Sequence, residues 1–226
     1  MNKDQKLISR FYQLLNLFED YCLTGFRQEH GKLIFSDEPA TEQTEDLENI
    51  AQEISICTRC NLCHNRLKAV SGEGQPNPLV FVIGEAPGAD EDEVGRPFVG
   101  AAGQYLDKWL AAIGLSRHKN CFISNVVKCR PPQNRDPRPE ELSACLPYLI
   151  RQLNCLKPRL LLALGRIAAQ SLLGERRGIS TLRQQTWFYQ KIPLVVTYHP
   201  AAVLRDPSLR ALVWEDLKKL KALLEE

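Results

Sequence analysis

The stretch LVFVIGEAPGADED, residues 79–92, decides the fold. Its first six residues form a short apolar run, rich in β-branched side chains, that stops at Gly84. Such a run is typical of a strand that is buried on both faces of a parallel sheet. A tight acidic loop follows, and residues 101–113 then carry apolar side chains at the spacing that predicts a helix. The segment is therefore the first strand–helix unit of a predicted α/β protein.

The same alternation continues toward the C-terminus. The sequence predicts further helices over 139–153, 166–173 and 207–225, and further strands in CFISNVV (121–127), RLLLALG (159–165) and IPLVVTYHP (192–200). Short connections between strands and helices favour parallel pairing. We therefore expect a three-layer α/β sandwich around a central, mainly parallel four-stranded sheet. Such sheets bind their ligands at the carboxyl ends of the strands.

The N-terminal part of the chain has a different pattern. Residues 5–27 carry apolar side chains at helical spacing, and residues 36–53 are an acidic linker that becomes a short helix running into Cys57. We expect residues 1–50 to form an N-terminal helical extension and residues 51–226 to form the main domain. The extension could pack on that domain or bind a partner.

Composition excludes several classes of protein. The net charge of the 226 residues is only +2, so any nucleic-acid surface must be a local patch. No apolar run reaches the roughly 18 residues of a membrane span, and the charged N-terminus does not resemble a signal peptide. We expect a cytoplasmic monomer without membrane contact. Its eight cysteines are then more often reduced, metal-bound or buried than paired in disulfides.

Four of these cysteines suggest a metal centre. Cys57 and Cys60 form a Cys-x-x-Cys pair, and Cys129 and Cys145 follow far downstream. Four thiolates can hold a tetrahedral zinc ion or an iron–sulfur cluster, and the wide second pair favours the larger group. Cys63 repeats the same spacing after Cys60, so spacing alone does not choose two of these three. The remaining cysteines occur in apolar patterns that fit buried positions: Cys22, Cys121 and Cys155.

Polar side chains stand where the predicted strands end. Glu85 follows the first strand, Asn125 interrupts the second, and His199 lies near the end of the fourth. A carboxylate at the end of a central strand suits water activation or stabilisation of a cation, although a solvated acidic turn has the same sequence. Phe98 lies in a loop between glycines, where it is either a stacking surface or a core anchor. Asn125 and His199, taken singly, also fit satisfied structural positions.

Several motifs, in this order, resemble those of the family 4 uracil-DNA glycosylases, the iron–sulfur branch of their superfamily. The resemblance runs from about Cys57 to the C-terminal helix and leaves residues 1–50 outside. Ala86 departs from the pattern, since other members often carry glycine there. The matching motifs are CTRC (57–60), GEAPGADED (84–92), GRPFVGAAGQ (95–104), SNVVKCRPPQNR (124–135), Cys145 and HPAAVLR (199–205).

The resemblance implies a monofunctional enzyme that hydrolyses the N-glycosidic bond of a deoxyuridine flipped out of DNA, initiating base excision repair. Glu85 and His199 would be catalytic, with Glu85 acting as a general base or through its field. A [4Fe-4S] cluster would be held by Cys57, Cys60, Cys129 and Cys145, with Cys63 as a bystander. The residues implied in substrate binding are Glu85, Ala86, Gly88, Glu91, Phe98, Asn125 and His199.

Basic side chains near these motifs are candidates for contact with DNA phosphates. They are Lys128, Arg130 and Arg135, which a cluster would tie to the 57–60 segment, and Arg205 after the histidine. A solvated basic face is the alternative for all four. Three other functions stay open at this point: a glycosylase for other deaminated bases, a non-catalytic DNA-binding module of the same fold, and an electron carrier.

Overall fold

The computed structural model of the protein describes residues 46–225 and contains one mixed sheet. The sheet has six strands in the order β1-β3-β2-β4-β6-β5. The four middle strands are parallel to one another, and the two edge strands run antiparallel to their neighbours. The strands are β1 (Glu73–Gly74), β2 (Val80–Gly84), β3 (Cys121–Asn125), β4 (Leu160–Leu164), β5 (Trp187–Tyr189) and β6 (Ile192–Thr197).

The predicted four-stranded sheet is wrong in its number of strands and right about its parallel centre. All four predicted strands form, as β2, β3, β4 and β6. The two strands that the sequence missed, β1 and β5, have two and three residues. Strands so short cannot show the alternation of apolar and polar residues that predicts them. They lie at the edges of the sheet, where antiparallel partners are common additions to a parallel sheet.

The helices predicted over 101–113, 139–153 and 166–173 form, and the one predicted over 207–225 begins at Arg210 after a 3₁₀ turn. Three short helices were not predicted: they lie at Ile179–Leu182, at Pro200–Arg205 and in the acidic loop. Gly88 precedes a short helix there, and Glu91 accepts the Gly88 N–H, so the second half of the predicted loop is helical. The helices are α1 (Leu47–Ser55), α2 (Ala89–Val94), α3 (Ala101–Ala112), α4 (Pro139–Leu156), α5 (Arg166–Leu173), α6 (Ile179–Leu182), α7 (Pro200–Arg205) and α8 (Arg210–Glu225). Short 3₁₀ turns occupy Asn61–His64, Pro132–Asn134 and Pro207–Leu209.

Both faces of the sheet are covered, which confirms the α/β sandwich. Phe81 and Ile83 of β2 face a core that α1, α4 and α5 complete. The alternate residues Val80 and Val82 face a second core that α3 and α8 complete. Burial on both faces explains why these strands are continuous apolar runs.

The helix α1 crosses the predicted domain boundary at residue 50. Asp46 caps α1 by accepting the Glu48 N–H, and Ile50 of this helix is fully buried. A boundary at residue 50 would therefore cut a helix that belongs to the core. The predicted helix over 5–27 and most of the acidic linker lie outside the described residues. Within the part that is described, no helix is long and apolar enough to cross a membrane.

Candidate active site

A pocket of about 350 Å³ opens at the carboxyl ends of the parallel strands. Its position follows from the register, because Gly84 of β2 pairs with Asn125 of β3 and brings the loop after β2 beside the amide. The volume falls within the range of small-molecule sites, about 300–1,000 Å³. The pocket is lined by Glu85, Ala86, Pro87, Gly88, Glu91, Phe98, Ala102, Asn125, Pro131, Asn134, Arg135, Asp136, His199, Ala201 and Arg205.

Asn125 presents an unsatisfied hydrogen-bond acceptor to this pocket. The residue is 1% exposed, and its Oδ1 has no hydrogen-bond partner among the described residues. A Cβ on Gly84 would lie 2.3 Å from that oxygen, so only glycine lets β2 approach it. Leaving a buried amide oxygen unpaired costs free energy. The arrangement is explained if a ligand supplies the missing donor.

Phe98 lies beside Asn125 in an unusual backbone conformation. Its φ angle is 53°, in the left-handed region that a bulky residue rarely adopts. The ring is buried, packs against Gly84, and lies 5.6 Å from the His199 ring between centroids. Strained backbone of this kind persists where the surrounding structure over-determines it, often at functional sites. Phe98 is thus both anchored in the core and part of the pocket wall.

His199 is held as a neutral imidazole with a defined tautomer. It is the N-cap of α7, and its Nδ1 accepts the Ala201 N–H at 3.2 Å. Burial, together with the charge of Arg205, lowers the pKa of the imidazole to about 4, although Glu91 acts in the opposite direction. Because Nδ1 acts as an acceptor, the proton of the neutral ring lies on Nε2. His199 therefore offers an uncharged N–H donor at neutral pH.

Glu85 is a half-buried carboxylate whose pKa lies near the working range of a general base. Burial raises the pKa to about 7, and the nearby Asp136 raises it as well, whereas Arg166 acts in the opposite direction. A base with a pKa near ambient pH is partly ionised and can still take up a proton. The group is thus suited to activate water, and its ionised form to stabilise a nearby cation.

Glu91 holds two walls of the pocket together. Its Oε1 accepts the N–H groups of Val99 and Gly100, and its Oε2 accepts the Gly88 N–H. The carboxylate thereby joins the loop after β2 to the turn that carries Phe98. Ala86 and Gly88 lie in the wall that Glu91 fixes. Direct contact of these three residues with a substrate stays a prediction.

A second cavity is lined by thiols. Cys57, Cys60, Cys63, Cys129 and Cys145 all border it, although they come from three separate parts of the chain. Within residues 46–225, no group of three or more histidine, cysteine or acidic side chains is placed to hold a single metal ion. Cys121 lies in β3 within the second core, and Cys155 packs against the first. Cys22 lies outside the described residues.

The sulfur atoms around this cavity accept hydrogen bonds from nitrogen donors. The Arg59 N–H reaches Cys57 Sγ at 3.5 Å, and the Lys128 N–H reaches Cys145 Sγ at 3.2 Å. The Arg66 guanidinium donates to Cys129 Sγ at 3.1 Å. Hydrogen bonds to the sulfur atoms are among the protein's means of tuning iron–sulfur centres. The donor set fits a thiolate-bound cluster.

A family model for the uracil DNA glycosylase superfamily matches residues 71–218 of this chain. The chain belongs to this superfamily. It is 49% identical to the type-4 uracil-DNA glycosylase of Pyrobaculum aerophilum, over 76% of this chain and 91% of the relative. For the type-4 uracil-DNA glycosylases of Sulfurisphaera tokodaii and Archaeoglobus fulgidus the identities are 45% and 43%, over 79% and 78% of this chain and 85% and 92% of the relatives. The predicted membership in family 4 is confirmed.

The superfamily's substrate is DNA, and the predicted phosphate contacts divide into two groups. Arg135 and Arg205 line the pocket, and Arg130 precedes them on the loop after β3. Arg135 also forms a bidentate ion pair with Glu141, which occupies part of its guanidinium. Arg205 is exposed at the end of α7. These three stay candidates for phosphate contact.

Lys128 is buried, and its predicted contact with DNA is wrong. The side chain is 1% exposed. Its Nζ donates to Ser124 Oγ, to the Asn125 carbonyl and to Gln152 Oε1, at 2.7–2.8 Å. A surface position was expected because lysine is rarely buried. The lysine instead supports the end of β3 from inside the protein.

The sequence also missed residues that border or support the pocket. Asp136 lines it and forms an ion pair with Arg166 at the start of α5. Arg117 lies farther back and donates to the carbonyl oxygens of Pro97 and Phe98. A charged residue in a loop gives no local signal of such a contact, because its partners are distant in sequence.

Proposed function

We propose that this protein removes uracil from DNA by hydrolysing the N-glycosidic bond of a deoxyuridine flipped out of the strand. The observation that carries the proposal is the Oδ1 of Asn125, which has no hydrogen-bond partner within residues 46–225 and lies in a pocket shared with Phe98 and a neutral His199. The type-4 uracil-DNA glycosylases similar to most of this chain support the same activity. A stacked base cannot reach such a pocket, so the nucleotide must leave the duplex first.

Asn125 supplies selectivity for uracil over cytosine. Its Oδ1 can accept from uracil N3–H while its amide nitrogen donates to O4. Cytosine has an acceptor at N3 and a donor at the 4-position. The same amide would therefore place its oxygen against the N3 acceptor and its nitrogen against the amino donor. Discrimination is strong in a buried site, because the mismatch leaves polar groups unpaired.

Phe98 receives the flipped base on its ring. Stacking of a base on an aromatic side chain contributes about 1–3 kcal/mol and does not depend on the base's identity. The ring is fixed by its packing against Gly84 and His199, so little ordering is needed when the base arrives. Phe98 therefore contributes binding, and Asn125 contributes selectivity.

The glycosidic bond breaks between N1 of uracil and C1′ of the sugar, and the electron pair stays on uracil. The negative charge that develops on O2 is stabilised by the Nε2–H of His199 and by backbone N–H groups of the loop after β2. The Gly88 N–H is already bonded to Glu91, which leaves the remaining amides of that loop. A neutral histidine donor suits this task, since it need not lose its proton.

Positive charge develops on the sugar, and Glu85 lies at the same pocket. Its ionised form stabilises the cation and accepts a proton from the attacking water, whose oxygen bonds to C1′. Among the described residues no lysine lines the pocket, and the buried Nζ of Lys128 is bonded elsewhere. We therefore propose simple hydrolysis without strand cleavage, which leaves an abasic site for base excision repair.

The proposal includes a [4Fe-4S] cluster held by Cys57, Cys60, Cys129 and Cys145. When bound, the cluster would serve as a structural cross-link between the segment before β1, the loop after β3 and α4. The five thiols around one cavity and the N–H groups that point at three of their sulfur atoms support this assignment. Iron and acid-labile sulfide content distinguish it from zinc.

Uracil release from a single-stranded oligonucleotide with one deoxyuridine tests the activity, and the same strand with deoxycytidine is the control. We expect release of uracil alone, and cleavage of the product strand only after alkali. Binding without release would support a non-catalytic module. Release of hypoxanthine from a deoxyinosine strand would widen the substrate range.

We propose that the catalytic unit begins before α1, acts as a monomer and works in the cytoplasm.

A further inference from the structure

Charged side chains bind the backbone of the turn between α2 and α3 from two sides. Glu91 accepts the N–H groups of Val99 and Gly100, on one side of the turn. Arg117 donates from Nη1 to the Pro97 carbonyl at 2.9 Å and from Nη2 to the Phe98 carbonyl at 2.8 Å. Two consecutive carbonyls and the two N–H groups that follow them are therefore all bound to charged side chains.

Arg117 is itself fixed in place. The residue is 5% exposed, and its Nε donates to Asp107 Oδ1 at 3.0 Å. Glu73 Oε2 lies 3.9 Å from Nη1 of Arg117. These two carboxylates balance the buried charge and orient the planar guanidinium. A guanidinium held in this way presents its donors in a rigid fork.

The backbone that Arg117 holds is the strained one. Phe98 has a φ angle of 53°, which an isolated phenylalanine rarely adopts. The first turn of α3 lies close to the same peptide. A Cβ on Gly103 would be only 1.9 Å from the Phe98 carbonyl oxygen, so this approach requires glycine. With that carbonyl turned inward toward Arg117 and α3, the ring on the same residue is directed to Gly84 and His199.

We infer that Arg117 is a positioning residue for uracil binding: its guanidinium fork holds the Phe98 carbonyl and thereby fixes the ring on which the base stacks. The inference rests on the proposed function and extends it to a residue outside the pocket. Arg117 touches no substrate and acts through Phe98. Lysine keeps the charge that pairs with Asp107 but cannot form the planar fork that reaches both carbonyls.

The test compares Arg117→Lys with wild type and with Arg96→Lys. Arg96 is an exposed arginine that binds the same Glu73 and donates to neither of the two carbonyls, so it is a matched control. A stacking platform contributes to binding before and during the reaction. We expect Arg117→Lys to raise KM and the inhibition constant of free uracil about tenfold and to lower the single-turnover rate by a smaller factor. Arg96→Lys should change each of these three quantities by less than about twofold.

A double variant separates positioning from general loosening of the fold. Once the ring is removed by Phe98→Ala, adding Arg117→Lys is expected to change KM and the uracil inhibition constant by less than about twofold. Equal losses in the Phe98→Ala background and in wild type would overturn the inference, as would unchanged constants for Arg117→Lys. A wild type that releases no uracil would instead contradict the proposed function.

Asp107→Asn provides the same test if Arg117→Lys does not fold. Asp107 is half-exposed and orients the Arg117 guanidinium by accepting from its Nε. The two nitrogen atoms of Arg117 that donate to the Phe98 turn remain in this variant. A raised uracil inhibition constant in this variant, with an unchanged unfolding temperature, supports the inference. An unchanged inhibition constant overturns it.

Discussion

The pocket and the cysteine cavity both border the segment after β3, but they differ in whether their acceptor atoms have hydrogen-bond partners. In the pocket, Oδ1 of Asn125 has no partner among the described residues, and Phe98 adopts a strained φ angle. Around the cysteines, the sulfur atoms of Cys57, Cys129 and Cys145 each accept an N–H. We propose that the free acceptor of the pocket binds a substrate, whereas the thiols of the cavity hold a structural cluster.

The largest expected effect lies on the cysteine side of the comparison. Cys145→Ala removes a thiolate from α4 and leaves a bound cluster under-coordinated, so we expect complete loss of iron and of most soluble protein. Iron content per chain is the measurement, and Cys63→Ala is the control because it removes a thiol from the same cavity that is not proposed as a ligand. Full iron content in Cys145→Ala would remove Cys145 from the ligand set.

On the pocket side, Asn125→Asp replaces the base-reading amide by a group of the same shape. An ionised aspartate has no donor and faces O4 of uracil with a second acceptor, so uracil excision should fall about 1,000-fold. Burial maintains a minor protonated fraction, which can donate to cytosine N3 and accept from its amino group. We therefore expect slow cytosine excision, measured in parallel on strands that contain uracil or cytosine. Uracil excision at the wild-type rate would show that Asn125 does not read the base.

His199→Ala removes the neutral donor from the pocket. Loss of one donor that stabilises a developing oxyanion typically lowers the rate of the chemical step by about 100-fold or more. We expect a fall in the single-turnover rate with little change in KM, because the interaction strengthens only as charge develops. Phe98→Ala is the contrasting variant and should act mainly on KM. An unchanged single-turnover rate for His199→Ala would reject its catalytic role.

The pH dependence tests the half-buried carboxylate. Burial raises the pKa of Glu85 to about 7, so its ionised fraction, and with it the rate, should fall about tenfold per unit as the pH drops below that value. His199, with its pKa lowered to about 4, stays neutral from pH 5 upward and adds nothing to this limb. Single-turnover rates across this range measure the effect. Glu85→Gln should be slower and independent of pH, and a flat wild-type profile would contradict the role of Glu85.

The smallest effect is expected from deletion of residues 1–45. Every proposed catalytic and cluster residue lies after this segment, and the deletion spares α1 and its Asp46 cap. Uracil excision should stay within about twofold of the full chain, and the unfolding temperature is the companion measurement. A deletion through residue 50 is the informative control, because it removes the buried Ile50 and should lower stability by about 2–5 kcal/mol. An insoluble 46–226 protein would assign the first residues to the core.

The four central strands and the long helices could be predicted from the sequence because they depend on local patterns of apolar residues. A continuous apolar run such as residues 79–84 is buried on both faces, and its β-branched side chains favour a strand. The short edge strands β1 and β5 lack such a run, since they are held by pairing with β3 and β6 rather than by their own pattern. The helix α2 was missed because its six residues are too few to show an apolar repeat at helical spacing.

For the site, the sequence by itself determined which chemical groups are present: the motif carboxylates, Phe98, Asn125, His199 and the spaced cysteines. Only the tertiary structure decided what each group can do, because accessibility and bonding depend on partners that are distant along the chain. Lys128, which looked like a surface cation, is buried by contacts with Ser124 and Gln152. Arg117, which gave no signal at all, holds the Phe98 turn. For a single charged side chain, burial and the direction of its hydrogen bonds are properties of the packed molecule, and no local pattern encodes them.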